Sequence, residues 1–240
     1  MYRLYQKRPV GFALGWIAAY VVLHSAAEGI SQSLGIQKLI TAPVGVILVL
    51  LLFGFLKSHG LMEQYGLCPF QGDWKAFLYF LPLAFLVSTN LWNGAAWNAS
   101  VLETLLFILS MFCVGFLEEV IFRGLLLRAI GNEKTAVVVS SLTFGIGHIV
   151  NLLNGAELLP TLLQILYACA IGFLFCVIFL RGKSLLPCII AHGVINSLSL
   201  FAVHGSQALD MITALVLCLV SLGYGAYIIR KTGQVTAAQS

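Results

Sequence analysis

Eight long apolar stretches alternate with short polar ones along the chain. Crossing roughly 30 Å of hydrocarbon takes about 20 helical residues, because an α-helix rises about 1.5 Å per residue. Each stretch approaches that length. The stretches cover residues 10–29, 39–56, 76–92, 101–122, 135–153, 160–180, 184–203 and 208–229. The pattern predicts an all-α, polytopic membrane protein built as a bundle of about eight transmembrane helices.

The composition supports lipid as the surrounding medium. Of 240 residues, 60% are apolar and 9% are charged, whereas a soluble domain carries about 25% charged residues. A cytosolic globular enzyme is therefore excluded, and residues 1–240 are expected to form a single integral membrane domain. The six cysteines show no Cys-x-x-Cys spacing, so neither a disulfide framework nor a zinc knuckle is predicted. The basic residues are too scattered to indicate a nucleic-acid partner.

The basic residues collect at every second connection between the apolar stretches, as the positive-inside rule requires. With the N-terminus in the cytoplasm, 12 of the 13 Lys and Arg residues lie on the cytoplasmic side and only Lys38 lies outside. Both termini are therefore predicted to be cytoplasmic. The first apolar run ends in Ser25-Ala26-Ala27, which resembles a signal-peptidase site. The even loop pattern nevertheless favours a first span that is retained.

Two adjacent carboxylates occur inside the apolar sequence, where a charge at mid-span costs roughly 2.5 to 3.5 kcal/mol. They are Glu118 and Glu119. Glu119 precedes Arg123 by four residues, so the two lie on one helix face and are expected to form an ion pair. Glu118 lies about 140° around the helix axis from Arg123. It needs another partner, whether a proton, a histidine, water or a metal.

Two later spans also carry polar groups. Phe144 and His148 are spaced i, i+4 in the fifth stretch, and His192 and Asn196 have the same spacing in the seventh. A lone histidine in a membrane span is more often a packing residue than a ligand. Two histidines, an asparagine and an unpaired glutamate can avoid lipid together only by facing a shared cavity, which would hold water.

Such a cavity can perform hydrolysis in two ways. Glu118 and His148 can flank a water molecule as general bases, while His192 and Asn196 donate to the oxyanion that forms when water attacks a carbonyl. Alternatively, Glu118, His148 and His192 can bind one divalent metal ion such as zinc, with Asn196 as a weaker fourth ligand. Serine and cysteine nucleophiles fit less well, because none has a base at a defined spacing. In a simpler alternative without a catalytic role, the glutamate pair lies among headgroups at the cytoplasmic end of the fourth span.

These residues resemble the signature of the CPBP intramembrane proteases, the CAAX-processing and bacteriocin-processing (Abi) family. That signature consists of Glu-Glu-x-x-x-Arg, then Phe-x-x-x-His, then His-x-x-x-Asn. The chain carries all three motifs in order, at 118–123, 144–148 and 192–196. Each motif alone is weak, but the ordered set is specific. Residues 110–197 are therefore expected to form the catalytic motif core.

The resemblance implies an eight-helix endopeptidase, of bacterial cell-membrane type, with a water-filled site. Glu118 and His148 would activate water, and His192 and Asn196 would stabilise the oxyanion or complete a metal site. Phe144 would pack against the site as a supporting residue, together with Glu119 and Arg123. The expected substrate is a peptide or protein with a membrane-embedded or lipidated segment. The metal-free scheme is preferred over a metalloprotease.

Two other functional classes remain in competition at this stage. Buried carboxylates and histidines also form proton or ion paths in small transporters, although the chain shows no matched halves of the kind that transporters favour. A non-catalytic immunity or peptide-binding protein could keep the same motifs.

The site residues are expected at different depths in the membrane. Counted along straight helices, Glu118 lies about 26 Å, His148 about 20 Å and His192 about 12 Å from the start of its own span. A tilted helix or a recessed fifth helix is expected to bring them level.

Overall fold

The structure is a computed structural model that describes residues 1–203 and 205–238. Within those residues it is helical, and its only β-type pairing is an isolated bridge between Ala95 and Ala202. The helices are α1 (Tyr2–Lys7), α2 (Pro9–Ser33), α3 (Thr41–Ser58), α4 (Leu81–Ser88), α5 (Val101–Ala129), α6 (Glu133–Gly147), α7 (Leu158–Gly182), α8 (Leu186–Leu198) and α9 (Gln207–Ala238). Short 3₁₀ turns lie at Leu78–Phe80, Thr89–Leu91, His148–Asn154 and Ser199–Phe201.

All eight predicted apolar stretches are helical, which confirms the all-α membrane fold. Six helices in the described part of the chain are long and apolar enough to cross a membrane, namely α2, α3, α5, α6 with its 3₁₀ extension, α7 and α9. The stretches predicted at 76–92 and 184–203 form the shorter apolar helices Leu78–Leu91 and Leu186–Phe201. The number of membrane crossings and the cytoplasmic placement of the termini remain predictions.

The loops that were predicted to be cytoplasmic gather at one end of the bundle. The N-terminal helix meets the loop after α3 through a hydrogen bond from the Tyr65 hydroxyl to the Tyr5 hydroxyl, 2.9 Å long. The same loop meets the start of α8, because the Leu185 amide donates to the Gly66 carbonyl at 2.8 Å. Near the same end, Arg181 pairs with Glu133 at 3.3 Å.

The remaining loops meet at the opposite end. The bridge between Ala95 and Ala202 joins the loop before α5 to the segment after α8. The side-chain amide of Asn90 donates to the Ile195 carbonyl at 2.6 Å. Both short helices therefore run from the end with the basic loops toward the other end.

Helix α5 changes its winding at the glutamate pair. It begins with a capping box, in which the Ser100 hydroxyl accepts from the Glu103 amide and the Glu103 carboxylate accepts from the Ser100 amide. It is α-helical to Glu118, π-helical over Glu119–Leu126 and ends with a last turn at Leu127–Ala129. π-Helical turns are rare and often mark functional sites. The hydrophobic pattern did not predict this change.

Glycines allow α5 and α8 to pack closely beside the site. A Cβ added at Gly115 would lie 2.9 Å from the Gly193 backbone nitrogen and 3.1 Å from the Ile189 carbonyl oxygen. Backbone atoms cannot move aside as a flexible side chain can. Small residues at such crossings let membrane helices approach each other.

We expect the substitution Gly115→Ala to destabilise the fold by about 1 to 3 kcal/mol, the usual cost of overpacking. Gly223→Ala in α9 is the matched control, because a Cβ at Gly223 meets nothing within 4 Å. It should leave stability unchanged or slightly higher, since alanine is the better helix former. Thermal unfolding in detergent measures both variants. Equal melting temperatures for Gly115→Ala and wild type would contradict the close crossing.

Candidate active site

The predicted site residues converge from three helices. Glu118 ends the α-helical part of α5, His148 follows the last residue of α6, and His192 and Asn196 lie on α8. Glu118, His148 and Asn196 line one cavity of about 450 Å³. His192 lies beside it, with Nε2 3.5 Å from Glu118 Oε2. Glu118 and His192 are both buried, so the headgroup alternative does not describe their surroundings.

A fully buried ion pair supports the site. Arg123 donates to Glu119 Oε1 at 3.1 Å, and both side chains have no exposed surface. This confirms the ion pair expected from the helix spacing. The same carboxylate oxygen lies 2.8 Å from His192 Nδ1. Glu119 therefore joins α5 to α8 as well as holding Arg123, a contact that the sequence did not predict. Because Glu119 occupies one ring nitrogen of His192, the other nitrogen is directed at Glu118.

Aromatic rings enclose this polar core. The Arg123 guanidinium carbon lies 3.9 Å from the centre of the Phe144 ring, close enough for a cation–π contact. Phe144 also packs edge-on against two histidines. Its ring centre lies 5.2 Å from that of His148 and 5.8 Å from that of His192. The packing position expected for Phe144 is therefore the one that it occupies.

Glu118 has a partner that sequence reasoning missed. The hydroxyl of Tyr20, on α2, donates to Glu118 Oε1 at 2.7 Å. The other oxygen, Oε2, is buried and has no hydrogen-bond partner among the described residues. A tyrosine in an apolar run is usually a packing residue, so Tyr20 alone gave no signal. Its i, i+4, i+8 spacing with His24 and Glu28 is the pattern that could have revealed it.

The cavity continues from Glu118 along this face of α2. His24 and Glu28 line it, and Lys38 from the following loop reaches its far end. Lys38 and Glu28 form an ion pair of 2.8 Å, with side chains 13% and 15% exposed. Thr41 donates to the second oxygen of Glu28 at 2.8 Å. Polar side chains therefore extend from the candidate site toward the end of the bundle that lies opposite the basic loops. Their presence favours water in the cavity.

The predicted metal ligands do not form a three-residue set in this arrangement. Among the described residues, no three His, Cys, Asp or Glu side chains are grouped closely enough to hold one metal ion. Glu118 and His192 approach each other, but Nδ1 of His192 is already directed at Glu119. The metal scheme therefore stays a prediction, and we derive no step through a metal.

The fold and the site together define a multi-pass membrane protein with a buried glutamate–histidine cluster beside a cavity. Residues 99–198 match the family model described as Rce1-like, a type II CAAX prenyl endopeptidase. The matched model is one of the CPBP family, so the match confirms the resemblance that the motifs predicted for this segment. The match encloses the predicted motif core at 110–197. Comparisons with curated proteins and with solved structures gave no match.

Proposed function

We propose that this protein is an intramembrane endopeptidase that hydrolyses a peptide bond by means of water activated by Glu118 and His148. The proposed substrate is a membrane-associated peptide or protein with a membrane-embedded or lipidated segment. One observation carries the proposal. Glu118 lines a cavity with His148 and Asn196, while its buried Oε2 has no hydrogen-bond partner among the described residues. A buried carboxylate oxygen without a partner is costly, and a reacting water is a partner that it can accept.

In the proposed reaction, the Glu118 carboxylate takes a proton from water while the water oxygen bonds to the carbonyl carbon of the substrate. His148 borders the same cavity and would activate that water together with Glu118, by accepting a hydrogen bond from it during the attack. As the tetrahedral intermediate collapses, the C–N bond breaks and the proton on Glu118 passes to the leaving amine. The products are a carboxylic acid and an amine, and the Glu118 carboxylate is regenerated.

The oxyanion of the intermediate would be stabilised from α8. His192 is fixed through Nδ1 by the buried Glu119 carboxylate, 2.8 Å away. In its protonated form its Nε2–H can donate to the developing charge, and the Asn196 amide can donate from the cavity wall. A donor that is already oriented pays little reorganisation energy during the reaction. The buried ion pair with Arg123 supports this by keeping Glu119 in place.

The competing classes fit the observations less well. The family match is to an endopeptidase, and residues of all three motifs lie around one cavity. A transporter gains no support from either observation. A non-catalytic binder would not need a cavity-lining glutamate with a buried oxygen that lacks a hydrogen-bond partner among the described residues.

The test is cleavage by the purified protein in liposomes, with a peptide library that contains lipidated and unmodified members. Products are identified by mass spectrometry. We expect cleavage by wild type, and we expect His148→Ala to lower the rate by about 10² to 10⁴, the usual contribution of general acid–base catalysis. His59→Ala is the matched control, because it removes an imidazole outside the candidate site. His59 stacks on Tyr2 at the end of α3. No cleavage by wild type, or full activity of His148→Ala, would overturn the assignment.

The same preparation tests the metal alternative. Elemental analysis measures bound zinc, and the cleavage rate is measured again after chelation. We expect no stoichiometric metal and an unchanged rate. One equivalent of zinc, with activity lost on chelation and restored by zinc, would favour the metal scheme instead.

A further inference from the structure

Tyr20 makes a direct contact with the proposed general base from outside the family-matched segment. It lies on α2, 98 positions before Glu118, and its buried hydroxyl donates to Glu118 Oε1 at 2.7 Å. We propose that Tyr20 is a positioning residue that sets the orientation of the Glu118 carboxylate for attack by water. This inference rests on the proposed function, because it assigns a role within the same reaction.

The Glu118 carboxylate has two oxygens in different surroundings. Oε1 is bonded to Tyr20, whereas Oε2 lies 3.5 Å from His192 Nε2. In the described part of the chain, Tyr20 is the only hydrogen-bond donor to either oxygen. Rotation about the last side-chain torsion of glutamate is broad and has no strong preference of its own. The phenol hydroxyl therefore selects one orientation, in which Oε2 is left to accept from the reacting water.

Tyr20 is itself held rigidly enough to act in this way. Tyr20 as a whole is only 7% exposed, and its ring lies 5.3 Å from the ring of His24. Farther along the same helix, the ion pair of Glu28 with Lys38 ties α2 to the next loop. A positioning group must be fixed by its own surroundings before it can fix another. These contacts meet that requirement.

Tyr20→Phe tests the inference, because it removes the hydroxyl and keeps the ring. The variant and the wild-type protein are compared in liposomes with the library substrate that wild type cleaves best. We expect kcat of Tyr20→Phe to be about 10- to 100-fold lower, the range for one hydrogen bond to a charged group. KM should change less than twofold. Tyr65→Phe is the matched control, since it removes the hydroxyl that donates to Tyr5 at the end of the bundle. It should keep wild-type kcat.

A spectroscopic measurement separates this role from a folding defect. The infrared carboxylate band of Glu118 is assigned by its loss in Glu118→Gln. Loss of the Tyr20 hydrogen bond should shift that band in Tyr20→Phe, while the melting temperature stays within a few degrees of wild type. An unshifted band, or an unchanged kcat in a cleaving enzyme, would overturn the inference and leave the proposed function standing. A wild-type protein that cleaves nothing would remove both.

Discussion

Replacing Glu118 by glutamine should reduce peptide cleavage by about 10³-fold or more while the protein still folds, because general-base catalysis contributes about 10² to 10⁴ in rate. Glutamine keeps the length of the side chain and can still accept from Tyr20. It cannot take a proton from water. The rate of product formation by mass spectrometry, together with thermal unfolding in detergent, measures the two effects separately.

Glu63→Gln provides the matched control for this experiment. Glu63 is exposed in the loop after α3, so the same chemical change there should leave cleavage and stability unaffected. If Glu118→Gln kept most of the wild-type rate, the assigned base would be wrong. If it lost its cooperative unfolding transition, Glu118 would instead be a structural residue.

Replacing Glu119 by alanine should cost about 3 to 5 kcal/mol of folding stability, the usual penalty for leaving a buried charge without its partner. Arg123 would lose its carboxylate, and it has no exposed surface through which water could reach it. His192 would lose the group that fixes its Nδ1. We therefore expect a large fall in the melting temperature in detergent and loss of cleavage.

A double substitution separates the two consequences of that change. In Glu119→Leu with Arg123→Met, both charges are removed and the volume is largely kept, which is often neutral or stabilising for a buried pair. We expect a melting temperature close to wild type but no recovery of cleavage, because His192 still lacks its carboxylate. A double variant as unstable as Glu119→Ala would show that the ion pair is not the cause. Recovered cleavage would show that Glu119 is not needed to orient His192.

The pairing of Glu119 with Arg123 could be predicted because it depends only on local geometry. Four residues along a helix return to the same face, and this holds through the winding change in α5. The gathering of motifs from α5, α6 and α8 was also predictable, because polar groups in membrane spans avoid lipid by facing one another around a shared cavity. These inferences need no knowledge of how helices cross.

Other features depend on contacts between helices that are distant in sequence. The partner of Glu118 comes from α2, and no local spacing links Tyr20 to it. The bond between His192 and Glu119 joins residues 73 positions apart. The depth at which each side chain lies is set by crossing angles, so straight-helix counting could not bring Glu118 level with His192. The π-helical turn has no sequence pattern of its own that hydrophobic periodicity can detect.

That π-helical segment bears on how the site would respond to a change in chain length. Each of its hydrogen-bonded turns closes over one residue more than an α-helical turn, so the segment carries surplus backbone between the glutamates and the end of α5. Removing a single residue from Glu119–Leu126 would let the segment rewind as a regular α-helix while the helix on either side keeps its orientation. Adding a residue has no such outlet, and it would rotate one part of the helix against the other by about 100°. Gly124, packed against Tyr65 and Leu185, and Glu118, bonded to Tyr20, could not then both keep their neighbours. A one-residue insertion here should therefore be more damaging than a one-residue deletion.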